Sequence, residues 1–209
     1  MTTKAPKKFP LLPVLVGIGG IALVATVILT MNTHGASDQG EFGTPTVTGA
    51  ALATATEGTD AALGFPIPEV VGADFAGNEV RITRDGRPKM LLFVAHWCSH
   101  CQAEVPVVQA WVAAGNLPDG VDLISMATST SSVRANFPPS EWLAREGWTI
   151  PTIVDDTRYS AGTAFGIDAF PFWVFVTPDG LVAGRTSGEL SPDTLSEIAT
   201  TLAAMTPAG

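Results

Sequence analysis

Charge and cysteine are both scarce in this chain, and each scarcity narrows what it can be. Only 15% of the 209 residues are charged, and between Phe9 and Met31 there is no charged side chain at all: FPLLPVLVGIGGIALVATVILTM. At a rise of about 1.5 Å per residue, such a run can cross a hydrocarbon core of about 30 Å. Lys4, Lys7 and Lys8 precede it, and no basic residue occurs after it until Arg81. That asymmetry predicts a cytoplasmic N-terminus and an extracytoplasmic remainder. A cleaved signal peptide has an apolar region of only about 7–15 residues and a small-residue cleavage site, and NTHGASDQG offers a poor one. A buried core helix fits less well, because Pro10 and Pro13 stand at the entrance and no polar stripe is present. The expectation is a single-pass protein of the cell membrane, with residues 1–8 cytoplasmic and residues 9–31 as a retained anchor.

Basic residues are scarce beyond Met31: eight Lys and Arg against all twenty acidic side chains. This balance excludes nucleic acid as a partner and argues against docking of the domain on anionic lipid, leaving the N-terminal helix as the one membrane contact. Two cysteines are too few for a scaffold held by disulfides, and the domain is large enough to build its own core. In an oxidising compartment a close pair serves either as a disulfide or as a working dithiol. No internal repeat is evident.

Residues 32–64 are rich in Gly, Thr and Ala without a periodic apolar face, which predicts a flexible linker. The globular domain is expected over 65–209. VVGADFAGNEVRIT reads as two short strands around a turn at Gly77-Asn78. KMLLFVA (89–95) is a continuous apolar run, the pattern of a central strand buried on both faces. From Cys98, at about 100° per residue, Cys101, Val105, Val108 and Val112 fall on one side of a helix that Gly115 ends and Pro106 should kink. Further strands are expected at 121–128, 151–156, 172–176 and 181–187, the last two joined by TPDG. Short helices are expected at PPSEWLAREG and after Asp156, and a final one capped by Ser191 with Pro192 at its first position. Strands alternating with helices predict an α/β fold whose sheet is covered on both faces.

The stretch HWCSHCQAEVP (96–106) holds both cysteines and two of the three histidines. Three chemistries suit it. H-x-C-x-H-C supplies four zinc or copper ligands, although no second ligand pair occurs and His34 lies in the linker. A structural disulfide closing so short a loop removes little chain entropy. A redox dithiol fits best. Residues i and i+3 share a helix face, and the leading thiol lies at the positive end of the helix, where the thiolate is favoured. Cys98 then attacks a disulfide and Cys101 resolves the mixed species.

FVAHWCSHCQAEVP resembles the W-C-x-x-C active site of the thioredoxin superfamily, with Pro106 where its members keep a kinking proline. AFPFWVFVTPDG resembles the other half of that site: a cis-proline at Pro171, a strand and a hairpin turn. The anchor, the N-terminal hairpin, an insertion before the cis-proline strand and C-x-x-C-x-x-E-x-P are similar to the membrane-anchored TlpA/ResA-like group, with Glu104 at the E. The resemblance implies a central mixed sheet flanked by helices, preceded by one transmembrane helix. It also implies disulfide reduction on exported proteins such as apocytochrome c. Glu104 would exchange a proton with Cys101, while Trp97, Phe170 and Pro171 would shape the substrate groove, with His96 beside them. No metal or other cofactor is required. A membrane redox partner would reset the dithiol. Two departures stand out. The buried Asp that thioredoxins keep six residues before the first cysteine is Leu92 here. His100, before the second cysteine, resembles the oxidase DsbA, and by stabilising the Cys98 thiolate it would make the pair more oxidising. Reductase is the expected direction; a DsbA-like oxidase, or a copper- or zinc-binding protein on the same fold, is the alternative.

Overall fold

The computed structural model describes residues 38–56 and 58–207, together with Thr2. The expected anchor (9–31), residues 32–37 of the expected linker and His34 lie outside the described residues. Among the described residues no helix is long and apolar enough to cross a membrane.

Strand β4 (Lys89–Val94) organises the domain. All six of its residues are buried, as a run of apolar β-formers demands. It pairs in parallel with β5 (Asp122–Ala127), which pairs in parallel with β6 (Thr152–Val154). On its other side runs antiparallel β7 (Phe172–Val176), followed by β8 (Val182–Ser187). The sheet order is therefore β6-β5-β4-β7-β8, a mixed sheet with β4 at its centre. Alternation along β4 splits the core in two. Met90, Leu92 and Val94 pack with α1 (Ser99–Ala113), α2 (Pro139–Arg145) and α4 (Pro192–Ala203). Leu91 and Phe93 face a second cluster that includes α3 (Ser160–Ala164). The one charge in β4, Lys89, is 1% exposed and is neutralised by Asp85 at 2.6 Å and Asp122 at 3.0 Å. The expected hairpin is present as β2 (Glu69–Ala73) and β3 (Glu79–Ile82), its turn held by the Asp74 carboxylate accepting from the backbone of Ala76 and Asn78. This is the thioredoxin-like α/β arrangement with a mixed sheet. The final helix begins as its sequence indicates, the Thr194 N–H donating to the Ser191 hydroxyl.

Residues 39–56 and 58–64 correct the expected linker. They are built into the domain. A 3-10 turn (Asp38–Glu41) leads to β1 (Thr46–Thr48), which pairs with β2. Leu52 and Ala62 are buried. The backbone N–H groups of Leu52 and Ala55 donate to Ala164 and Gly166 carbonyls at 2.9 and 2.8 Å. Arg185, fully enclosed, binds the Asp60 carboxylate and the Ala53 carbonyl. The physical reason is close backbone approach rather than freedom. A Cβ on Gly43 would sit 2.0 Å from the Val154 carbonyl oxygen, and one on Gly166 (φ +71) would sit 2.3 Å from that of Ala53. Small residues here permit docking, which composition cannot distinguish from flexibility.

Candidate active site

The chain leaves β4 at Val94 and reaches the N-cap of α1 at Cys98, four residues later. The Cys98 N–H bonds back to the Ala95 carbonyl at 3.0 Å, and the Ala95 N–H points at Cys101 Sγ at 3.5 Å. Both thiols are free; Cys98 is half-buried and Cys101 is buried. The Cys98 thiol donates to the Phe170 carbonyl at 3.5 Å. That hydrogen bond brings a segment more than seventy residues away against the motif, and the Phe170-Pro171 bond in it is cis. Burial pushes the Cys101 thiol far above the ordinary cysteine range, and the neighbouring Cys98 and Glu104 push the same way.

Helix α1 buries Cys101, Glu104, Val105, Val108 and Trp111. Val112, expected in this stripe, is only partly buried, and Trp111 takes the inner position. The helix runs on through Pro106 to Ala113. Glu104 is not a solvated surface carboxylate: it is 1% exposed. The Trp173 indole N–H donates to its Oε1 at 3.1 Å, and the Leu190 backbone N–H lies 3.1 Å from both oxygens. Burial raises its pKa to about 7 against the opposing pull of these donors. Trp173 pairs in register with Leu92. The floor of the site thus draws its buried carboxylate from the helix, not from the strand position where Leu92 stands.

The two histidines of the motif part company. His96 is 1% exposed. Its Nδ1 donates to the Ala135 carbonyl at 2.7 Å, and its Nε2 accepts the Ser131 N–H at 3.1 Å. This fixes the neutral tautomer, and burial lowers its pKa. Both ring nitrogens are engaged, so His96 is no ready metal ligand; among the described residues no group of three His, Cys, Asp or Glu is placed to hold an ion. His100 is 69% exposed and its Nδ1 meets Glu189 Oε1 at 2.7 Å. Among the described residues no hydrogen bond joins it to either cysteine. Trp97 donates from Nε1 to the Ser129 carbonyl at 2.7 Å and sets its ring edge against Phe170. Pro171 is buried beneath.

Sequence reasoning missed Trp173, Glu189, Leu190, Ser129, Ser131 and Arg134. Trp173 carried a signal: counting by two along β7 from Pro171 places it on the α1 face. The others lie in turns and loops without a period.

The Redoxin family profile matches residues 62–202. A probable thiol:disulfide interchange protein DsbE-2 of Pasteurella multocida (strain Pm70) is 25% identical over 146 residues, covering 66% of this chain and 70% of that protein. The thiol-disulfide oxidoreductase ResA of Geobacillus thermodenitrificans (strain NG80-2) is 23% identical over 143 residues, covering 68% and 79%. Among solved structures, a DsbF homologue from Corynebacterium diphtheriae matches with a TM-score of 0.58 at 17% identity, over 74% of this chain and 100% of that one. That last likeness is one of fold.

Proposed function

Because the chain belongs to the Redoxin family and is a thiol-disulfide oxidoreductase, we propose that Cys98 and Cys101 are its working dithiol, with Cys98 the nucleophile and Cys101 the resolving thiol. One observation carries the assignment. A half-buried thiol stands at the mouth, directly before a fully buried thiol and a buried carboxyl poised near neutrality.

In the reducing direction the Cys98 thiolate attacks a substrate disulfide. The substrate S–S bond breaks, a mixed disulfide forms, and the departing sulfur takes a proton from solvent. The Cys101 thiol must then ionise where ionisation is disfavoured. Glu104, one helical turn further along the same buried face, is the group that takes its proton. The Cys101 thiolate attacks Cys98 Sγ, the mixed disulfide breaks, and the second substrate sulfur leaves as a thiolate that takes a proton from solvent. The substrate gains two electrons and two protons, and the protein keeps a Cys98–Cys101 disulfide. A membrane thiol carrier restores the dithiol. Trp97, Phe170 and Pro171 form the groove, and the Phe170 backbone offers partners to an extended substrate segment.

The substrates are exported proteins, apocytochromes c among them, and the domain works outside the cytoplasm on the 9–31 anchor. The charge pattern about that run supports the placement. The reducing direction is supported by Glu104 and by the Glu189 carboxylate beside His100, whose negative charge offsets any positive field the imidazole could lend the Cys98 thiolate. A DsbA-like oxidase is the second reading, favoured by the exposed His100 between the cysteines.

Trapping tests the assignment. Cys101→Ser should accumulate mixed disulfides between Cys98 and exported proteins in the native envelope. Equal trapping by Cys98→Ser, or none with either variant, contradicts it. Equilibrium with glutathione tests direction: a reductase lies toward thioredoxin, about −270 mV, and an oxidase toward DsbA, about −120 mV.

A further inference from the structure

Eight Lys and Arg side chains fall within the described residues, and six are in ion pairs with carboxylates. Arg145 reaches the Asn136 side-chain oxygen at 3.4 Å. Arg134 alone differs. Its guanidinium lies 4.2 Å from the centroid of the Trp97 ring, and no acceptor among the described residues binds it. Trp97 immediately precedes Cys98.

The loop that carries Arg134 is held in place by the motif itself. Trp97 Nε1 donates to Ser129 O near its start, and His96 binds Ser131 N and Ala135 O around its tip. Ser129 and Asn136 take left-handed φ values of 52° and 59°, turning the chain out and back. The tip projects Val133, 91% exposed, and Arg134, whose guanidinium lies over Trp97. The far edge of Trp97 meets Phe170, whose carbonyl receives the Cys98 thiol. The loop is therefore a fixed lip beside the reacting sulfur.

We propose that residues 129–136 form a substrate-reading lip, in which Arg134 selects target proteins with a carboxylate beside the reactive cysteine and Val133 adds an apolar contact. The inference rests on Cys98 and Cys101 being the working dithiol. A domain with twenty acidic and eight basic side chains repels acidic segments at long range. One uncommitted cation at the mouth reverses that sign where the substrate docks. The contact with Trp97 holds the guanidinium over the ring while its N–H donors, which bind no acceptor among the described residues, remain available to a carboxylate.

The test uses the full chain, reset by dithiothreitol, with disulfide-linked peptides that differ only in one residue beside the cysteine: Glu, Gln or Lys. In kcat/KM, the Glu peptide should exceed the Gln peptide by about fivefold, and the Lys peptide should be slowest. The ratio should shrink as salt is raised. Arg134→Gln should bring the Glu-to-Gln ratio close to one, Arg134→Lys should keep part of it, and Val133→Asp should lower it without touching Trp97. The glutathione equilibrium of each variant reports that the dithiol is intact. A Glu-to-Gln ratio near one in the unaltered protein, or a preference that survives Arg134→Gln, overturns the lip alone. Failure to reduce any peptide overturns the dithiol assignment, and the lip with it.

Discussion

Cys98 and Cys101 lie one helical turn apart, yet they stand in two different media. The rim around Cys98 is wet. His100 and Glu189 are 69% and 45% exposed, and Arg134 stacks on an indole at the surface. Charges there are screened, and such pairs contribute only about 0–1 kcal/mol. The floor around Cys101 is dry. Cys101 and Glu104 are 0% and 1% exposed, and desolvation is the largest influence on both, pushing each toward its neutral form. The same helical spacing that builds a hydrophobic stripe with Val105 and Val108 therefore also gathers the two groups to which the proposed mechanism assigns the proton transfer. The proposed mechanism divides labour accordingly: the rim would choose what is attacked, and the floor would govern whether the intermediate resolves.

That division fails outright if the two thiols are interchangeable. Cys98→Ser should abolish exchange, a loss of at least about 10³-fold in turnover, since the nucleophile is gone. Cys101→Ser should retain a first attack and stall there, seen as one equivalent of mixed disulfide by mass. Retained turnover in Cys98→Ser would put the attack on the floor.

A smaller effect probes the floor. The folded pKa of Glu104, about 7, lies above its ordinary value of 4.5. Its stabilising contribution is fully present below pH 4.5 and is lost as pH rises through about 7. At about 1.4 kcal/mol per unit, the loss is on the order of 3 kcal/mol. Denaturant unfolding between about pH 4 and pH 8 should show Glu104→Gln gaining stability relative to the unaltered protein across that window and holding the gain above it. A constant difference at every pH would mean that Glu104 is solvated.

The least effect is expected at the rim. His100→Ala should move the glutathione equilibrium less than about fivefold, because the imidazole is exposed and already shared with Glu189. A shift beyond tenfold, about 30 mV for two electrons, would hand control of direction to the rim and favour the oxidase.

Much of this frame was legible because it is local. β4 declared itself by an unbroken apolar run, α1 by the spacing from Cys98, and the last helix by Ser191-Pro192. The strand over 172–176 was legible from its apolar run, but the cis bond before it was legible only through resemblance. What escaped lies in contacts between distant parts of the chain. Glu104 meets Trp173 and Leu190, sixty-nine and eighty-six residues on, and His100 meets Glu189, eighty-nine residues on. No period encodes a backbone N–H in a turn. Residues 39–56 and 58–64 were misread for a related reason. Their glycines and alanines are small so that backbone can lie against backbone, and their fixing charge, Arg185, comes from β8.

The mechanism turns on the buried carboxyl accepting the proton of the buried thiol. That transfer is read most directly from the single-turnover rate at which a preformed Cys98 mixed disulfide resolves, followed from about pH 5 to about pH 9 in the unaltered protein and in Glu104→Gln. In the unaltered protein the rate should rise with pH through an inflection near 7. In the variant that inflection should be absent, with a rate at neutral pH lower by about 10²-fold. The same inflection in both proteins, at similar rates, would contradict it.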